Sequence, residues 1–280
     1  MLPNLIIIGA IKSGTTSLHY YLSLHPEIVM SNPKELHFFS MERNWGKGLA
    51  WYESHFTKEA KIRGESSPSY TRYPLITITP ERMYSVVPQA KLIYILRDPI
   101  DRLISEYRQR LADGTDLRPL PEILSDLKEN QYVYNSKYYT QLEQYLKFYS
   151  KDNIFIMTIE ELNKQPQQTV QKVFRFLDVN VSFFHPDYAK KFHVSDDKRL
   201  KNALGLFLTK KFRDSEIKDK IRAALPSFIN ETYISFSRSN VKVEKPFLDG
   251  LQKQRLIAEL KDDINQLRNY TGHKFESWCL

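Results

Sequence analysis

The sequence predicts an α/β fold, a parallel β-sheet flanked by helices on both faces, with a mostly helical C-terminal region. Three observations predict it. Short unbroken apolar runs, at residues 5–8 and within Lys91–Leu96, read as strands covered on both faces. Helical stretches alternate with them in the order β, α, β, α, β, the pattern of a parallel sheet joined by crossover helices. The chain has 280 residues, 41% hydrophobic and 26% charged, which suits one large domain over 1–280 with a sizeable core. No repeat or low-complexity linker divides it.

Leu5-Ile6-Ile7-Ile8 forms the first strand, and Gly9 to Gly14 the loop after it. Residues 15–24 then read as a helix with Leu18, Tyr21 and Leu22 on one face. His25-Pro26 ends it, because the residue before proline avoids helical angles. A short strand is expected at Ile28-Val29-Met30. Lys91–Leu96 is the second buried strand, and Asp98-Pro99 starts a helix with Asp as N-cap and Pro in the first turn. Leu103 and Tyr107 share a face of that helix. Residues 138–149 and Pro166–Leu177 read as further helices, residues 153–158 as a third strand. Past residue 190 the pattern is mostly helical, with a long amphipathic run at 251–267. Ligands of such sheets bind at the carboxyl ends of the strands, here Gly9 and Arg97.

The net charge is +8 and the pI about 9.3, a balance that favours anionic partners. The basic residues are scattered and no aromatic-basic RNA motif is visible, so nucleic acid is not the expected partner. One cysteine, Cys279, permits no intrachain disulfide and no Cys-based metal site. The longest apolar run, near residues 5–11, is far short of the ~20 residues of a membrane span. No basic region precedes it as in a secretory leader. A cytoplasmic protein with no membrane span is the expectation; oligomeric state is not legible.

Gly9-Ala10-Ile11-Lys12-Ser13-Gly14-Thr15-Thr16-Ser17 follows a buried strand and opens a helix. A helix N-terminus offers unpaired N–H groups and a positive dipole end. The glycines permit tight turning and close approach to an anion. Lys12 adds a full charge, and Ser13, Thr15, Thr16 and Ser17 add hydroxyl donors. The fold is thus P-loop-like. The loop departs from the nucleoside-triphosphatase pattern, in which lysine follows the second glycine; here it precedes Gly14 by two.

K-S-G-T-T-S after a strand resembles the 5′-phosphosulfate loop of sulfotransferases that use 3′-phosphoadenosine 5′-phosphosulfate (PAPS). Leu96-Arg97-Asp98-Pro99 with Ser105 resembles the family's 3′-phosphate motif, in which a strand-end arginine and a helical serine hold that phosphate. An arginine fork suits phosphate oxygens. Lys34-Glu35-Leu36-His37-Phe38-Phe39 looks like the K-E-x-x-F-F stretch of heparan sulfate and bacterial carbohydrate sulfotransferases. That resemblance makes Glu35 the base and puts Lys34 near the transferred group. A carboxylate beside aromatics is expected to have a raised pKa. His37 is the rival base, since histidine needs little tuning near neutral pH.

Gly64-Glu65-Ser66-Ser67-Pro68-Ser69-Tyr70 resembles the family's E-K-S-P-x-Y stretch, with Ser66 where heparan-type enzymes commonly carry lysine. His193-Val194-Ser195 with Lys198-Arg199 falls where the family places a loop over the nucleotide, so Arg199 is expected at the 3′-phosphate. The resemblance implies sulfuryl transfer from PAPS to an acceptor hydroxyl or amine, with 3′-phosphoadenosine 5′-phosphate (PAP) as product and no metal. The heparan-like stretch tilts the acceptor towards a saccharide; a carrier-bound β-hydroxyacyl chain or small alcohol is the alternative. A nucleotide kinase shares the phosphate loop but would place the lysine elsewhere and need Mg²⁺ carboxylates. A polyanion-binding module would rest on net charge alone.

Overall fold

A computed structural model describes residues 1–189, 198–203, 205–207 and 237–280. Five strands form one parallel sheet: β1 (Leu5–Gly9), β2 (Ile28–Met30), β3 (Ile62–Ser66), β4 (Lys91–Leu96) and β5 (Ile154–Thr158), in the order β2-β3-β1-β4-β5. β1 is central, pairing with β3 from Leu5↔Gly64 and with β4 from Leu5↔Lys91. Its sequence neighbours on either side follow from this place: an all-apolar run is needed where both faces are covered. All five residues of β1 are buried.

The helices are α1 (Thr15–Ser23), α2 (Glu42–Trp45), α3 (Gly48–Glu53), α4 (Thr79–Val86), α5 (Pro99–Asp113), α6 (Leu120–Ile123), α7 (Gln131–Tyr134), α8 (Tyr138–Leu146), α9 (Ile159–Lys164), α10 (Pro166–Leu177) and α11 (Gly250–Thr271). Alternating residues of β1 and β4 divide the interior between them, as the strand period of two requires. Leu5, Ile7, Ile93 and Ile95 pack with Leu18 and Leu22 of α1 and Val170, Val173 and Phe174 of α10. Ile6, Ile8, Leu92, Tyr94 and Leu96 face the other way, onto Met83 of α4, Leu142 of α8 and Ile264 of α11. A third cluster packs Ile100, Leu103 and Tyr107 of α5 under Leu120, Tyr132 and Leu256. Helices thus cover both faces, as the apolar runs predict.

The caps follow the sequence. Asp98 accepts from the N–H groups of Ile100 and Asp101 at 3.0 and 2.9 Å, with Pro99 in the first turn of α5. Thr158 and Glu161 form a reciprocal capping box on α9, and Asp249 and Gln252 form one on α11. The described C-terminal part is not helical throughout: β6 (Arg199–Lys201) and β7 (Arg238–Lys242) form a separate antiparallel pair. The pair packs on α5 through polar groups. Arg108 Nη2 donates to the Val243 carbonyl at 2.7 Å, and Arg238 Nη2 lies 3.5 Å from Asp113 Oδ1. Short basic segments carry little strand signal, so this sheet is invisible in the pattern of apolar residues.

Candidate active site

The loop between β1 and α1 is built from two glycines with different duties. A Cβ on Gly9 would stand 2.1 Å from Thr71 Oγ1, so Gly9 lets β1 run close under the segment after β3. Gly14 is the N-cap of α1 at φ 89°, a left-handed conformation that L side chains seldom adopt. It supplies no side-chain cap, and Leu18 is the first residue whose N–H reaches back to Gly14 O, at 3.1 Å. The N–H groups of Thr15, Thr16 and Ser17 therefore lie in the unsatisfied first turn at the positive end of the helix. Ser13, Thr15 and Ser17 are buried around this point, while Thr16 is half-buried.

Lys12 enters with a left-handed backbone, φ 66°, and its Nζ donates to Gln109 Oε1 of α5 at 3.2 Å. Burial lowers its pKa, and Arg97 adds to the effect, against Asp113, Lys198 and Glu106, which favour the charged form. Arg97 closes β4, with Tyr138 Oη donating to its carbonyl at 2.7 Å and its guanidinium 3.8 Å from Asp101. Ser105, two turns into α5, is buried. The two phosphate motifs of the sequence thus meet at the carboxyl ends of adjacent strands β1 and β4, the arrangement that the alternation of elements implies.

Lys198 completes this group, and residue patterning did not single it out for a role. It donates from Nζ to the Ser105 carbonyl at 3.2 Å. Burial, then Lys12, then Arg108 push its pKa down to about 7. Arg199, the residue expected at the 3′-phosphate, is exposed; its Nη1 is 3.5 Å from Asn240 Oδ1 and its carbonyl accepts from Arg238. The neighbouring lysine, not Arg199, reaches Ser105 in this structure. His193, Val194 and Ser195 lie outside the described residues.

On the other side of β1, Lys34, Glu35 and His37 form a second cluster. Lys34 Nζ donates to Glu35 Oε1, and His37 Nε2 lies 3.6 Å from Glu35 Oε2. Burial favours a raised Glu35 pKa, as the aromatic neighbours suggest, but the outcome is the reverse. Lys34, His37 and Lys12 together hold it below the ordinary carboxylate value. The cause is the company of cations, which outweighs desolvation. Lys34 is thus placed on the carboxylate rather than free above it. Glu35 and His37 also have positive φ, 69° and 51°. With Lys12, three of the five non-glycine residues of positive φ among the described residues fall in this site, a concentration of backbone strain where function is expected.

The segment after β3 holds those strained residues in place. Glu65 is fully buried and accepts from Tyr52 Oη (2.5 Å), Ser67 Oγ (2.6 Å) and Tyr70 Oη (2.7 Å); burial raises its pKa. Ser67 Oγ in turn accepts from the His37 N–H at 3.0 Å, and the Glu35 N–H donates to Ser66 O at 3.1 Å. Ser69 Oγ sits 2.7 Å from His37 Nδ1. The E-S-S-P-S-Y stretch is therefore the support of the K-E-L-H-F-F stretch. Phe38 and Phe39 point away from the site: they are buried and stack against Tyr52 and Trp45. His19 of α1 lies near Lys34 and Glu35, and burial pushes its pKa to about 4. Among the described residues no three His, Cys, Asp or Glu side chains converge as a metal-ligand set, and no helix is long and apolar enough to cross a membrane.

Comparison with known proteins bears on this geometry. Heparan sulfate glucosamine 3-O-sulfotransferase 5 of Homo sapiens is 33% identical over 191 residues, 64% of this chain and 54% of that protein. Bifunctional heparan sulfate N-deacetylase/N-sulfotransferase 2 of Homo sapiens is 28% identical over 219 residues, 70% of this chain and 24% of that protein. The chain therefore spans about half the length of the first relative and a quarter of the second. In fold, it resembles a sulfotransferase from Alicyclobacillus acidocaldarius, with a TM-score of 0.69, 23% identity and 99% of each chain covered. It also resembles mouse sulfotransferase SULT7A1 solved with PAP, with a TM-score of 0.53, 14% identity, and 96% and 88% covered. The family model described as the sulfotransferase domain matches residues 2–243, and the chain belongs to that family.

Proposed function

We propose that this chain transfers a sulfuryl group from PAPS to a hydroxyl or amine of a saccharide, acting as one catalytic unit. The observation that carries it is the convergence of Lys12, Lys198, Arg97 and Ser105 around the open N-terminus of α1, next to Glu35 and His37. Several cations in one partly dry pocket suit a ligand with two separated anionic groups, which ATP with its single phosphate chain is not. The loop N–H groups with Lys12 and Lys198 would face the 5′ end, and Arg97 with Ser105 the 3′-phosphate.

Sulfuryl transfer resembles phosphoryl transfer through a loose transition state, with attacking and leaving oxygens in line. Charge then grows on the leaving 5′-phosphate oxygen. Lys12, Lys198 and the fixed N–H groups of α1 are preorganised to stabilise it without rearrangement. Glu35 takes the acceptor proton. A carboxylate held below its ordinary pKa is ionised and ready, yet its basicity is suppressed while Lys34 is paired with it. Movement of Lys34 towards the transferred group would restore that basicity.

The heparan sulfate relatives support a saccharide acceptor. The aromatic support for an acyl chain is weaker than the sequence suggests, since Phe38 and Phe39 are enclosed in the core. Thermal denaturation with PAP or with ATP–Mg²⁺ at equal concentration tests the nucleotide reading, because at equal concentration the ligand that binds the native state more tightly raises the melting temperature more. PAP is expected to stabilise and ATP–Mg²⁺ not to match it; a preference for ATP would sink the proposal.

A further inference from the structure

Arg72 lies outside every role assigned above. It follows Ser69, the partner of His37, by three residues, and its backbone is fixed on both sides. Thr71 Oγ1 donates to Ile8 O at 3.3 Å. The Tyr73 N–H donates to Gln141 Oε1 at 2.8 Å, and the Tyr73 carbonyl accepts from Gln141 Nε2 at 2.7 Å. The side chain between these anchors is half-buried. Its Nε is enclosed yet has no hydrogen-bond partner, and its guanidinium forms no ion pair among the described residues.

The nearby charges do not compensate it. Burial lowers its pKa first, and Arg110 lowers it further against the pull of Glu106. Glu106 is already committed: it accepts from Arg102 at 2.7 Å, from Arg110 at 3.0 and 2.7 Å, and from Asn135 at 3.2 and 3.1 Å. Arg110 is committed too, lying 4.8 Å over the Tyr132 ring as well as on Glu106. One carboxylate thus serves two arginines, and Arg72 is a third with no counter-ion among the described residues. Leaving a partly desolvated guanidinium unpaired is costly, and an arginine fork is shaped for a planar oxyanion.

The candidate 3′-phosphate groups Arg97 and Ser105 follow β4, whereas Arg72 follows β3, on the segment that supports Glu35 and His37. We infer that Arg72 is a specificity-determining residue that receives an oxyanion, carboxylate or sulfate, carried by the acceptor near the group to be sulfated. This rests on the sulfotransferase reading and narrows it to a negatively charged acceptor.

The test titrates the PAP-loaded protein with a uronic acid–N-acetylglucosamine oligosaccharide, its N-sulfated counterpart, and its carboxyl-reduced, unsulfated form. Wild type is expected to bind the charged probes more tightly than the neutral one. Whether the carboxylate or the sulfate is read follows from which charged probe gains. Arg72→Gln is expected to weaken binding of the charged probes roughly 10- to 100-fold, the range for one charge-assisted contact. Its effect on the neutral probe and on PAP should be within twofold. Arg72→Lys, which keeps the charge but not the fork, should fall between. Melting temperature within a few degrees of wild type establishes that the variants fold, and Arg72→Lys remains the informative variant if Arg72→Gln does not. No preference for the charged probes in wild type overturns the inference, as does an unchanged affinity in both variants. Loss of PAP affinity in Arg72→Gln also overturns it, by placing Arg72 at the nucleotide. Each of these outcomes leaves PAP stabilisation of the wild type, and with it the sulfotransferase reading, standing.

Discussion

Lys12 and Lys198 lie close together and partly buried, and this would couple the binding of an anion there to protons. The Lys198 pKa of about 7 lies below the ordinary 10.5 because burial and Lys12 oppose its charge. The sign follows. Between those values an unfolded chain holds the proton and the folded chain does not, so this group makes the free protein more stable as pH rises through that window. An anion in the pocket favours the charged form and raises the pKa. PAP binding near pH 8 is therefore expected to take up a proton, and affinity should weaken as pH rises from about 6 to 9. Calorimetry in buffers of different ionisation enthalpy measures the uptake, and Lys198→Met should abolish it. A wild type with no uptake would remove Lys198 from the pocket. Lys12→Ala acts at the same oxygen and should cost ~10²-fold or more, mainly in kcat. Steady-state rates within a few-fold of wild type would make Lys12 structural. The base is tested by a pair of substitutions. Glu35→Gln should cut kcat steeply with PAP affinity nearly intact, and His37→Ala should raise acceptor KM more than it lowers kcat. The opposite pattern in the same assays would give the proton to His37.

The loop–helix unit of β1 and α1 was legible in the sequence, and the structure adds why glycine is favoured at position 14. A Cβ there would stand 2.3 Å from Ile159 Cδ1, on top of the strained φ of 89°. Gly14→Ala is expected to lose ~1–3 kcal/mol, measured as a lower denaturant midpoint. Adding Ile159→Ala should recover the part due to overlap and not the part due to φ. Equal stability of Gly14→Ala and wild type would contradict the left-handed cap. The strands were legible because buried parallel strands are continuous apolar runs, and α5 because Asp98-Pro99 announces its start. Glu35, by contrast, does lie beside Lys34 and His37, but its pKa is lowered where its aromatic neighbours in the sequence suggest a raised one. Aromatic neighbours are visible in sequence, whereas Lys12, twenty-three residues earlier in the chain, reaches it only through the fold. Glu65 shows the same limit. Nothing local marks a carboxylate that will accept from Tyr52, Ser67 and Tyr70 and so carry the backbone of His37.

At the scale of the whole molecule, the candidate nucleotide site is assembled from three stretches far apart in sequence. The loop at 9–17 comes from β1 and α1, Arg97 and Ser105 from β4 and α5, and Lys198 from the start of the small β6–β7 sheet. That sheet is tied to α5 mainly through charged side chains: Arg108 to Val243 O, and Arg238 and Lys201 to Asp113. Partly solvated ion pairs such as those to Asp113 are individually weak, so the small sheet is expected to open more readily than the large one. A ligand that engages Lys12, Arg97 and Lys198 together would couple the small sheet to the large one. Amide hydrogen exchange is the measurement suited to this. PAP is expected to slow exchange in all three stretches at once, with the largest gain at 198–201 and 238–243, where free-protein protection should be least. Adenosine 5′-phosphosulfate lacks the 3′-phosphate. It should protect 9–17 but add much less at 97–105, and Arg97→Ala should erase the difference between the two ligands. Protection by PAP confined to 9–17 would mean that the phosphate loop binds alone. Lys198 and the β6–β7 sheet would then be neighbours of the site and not part of it.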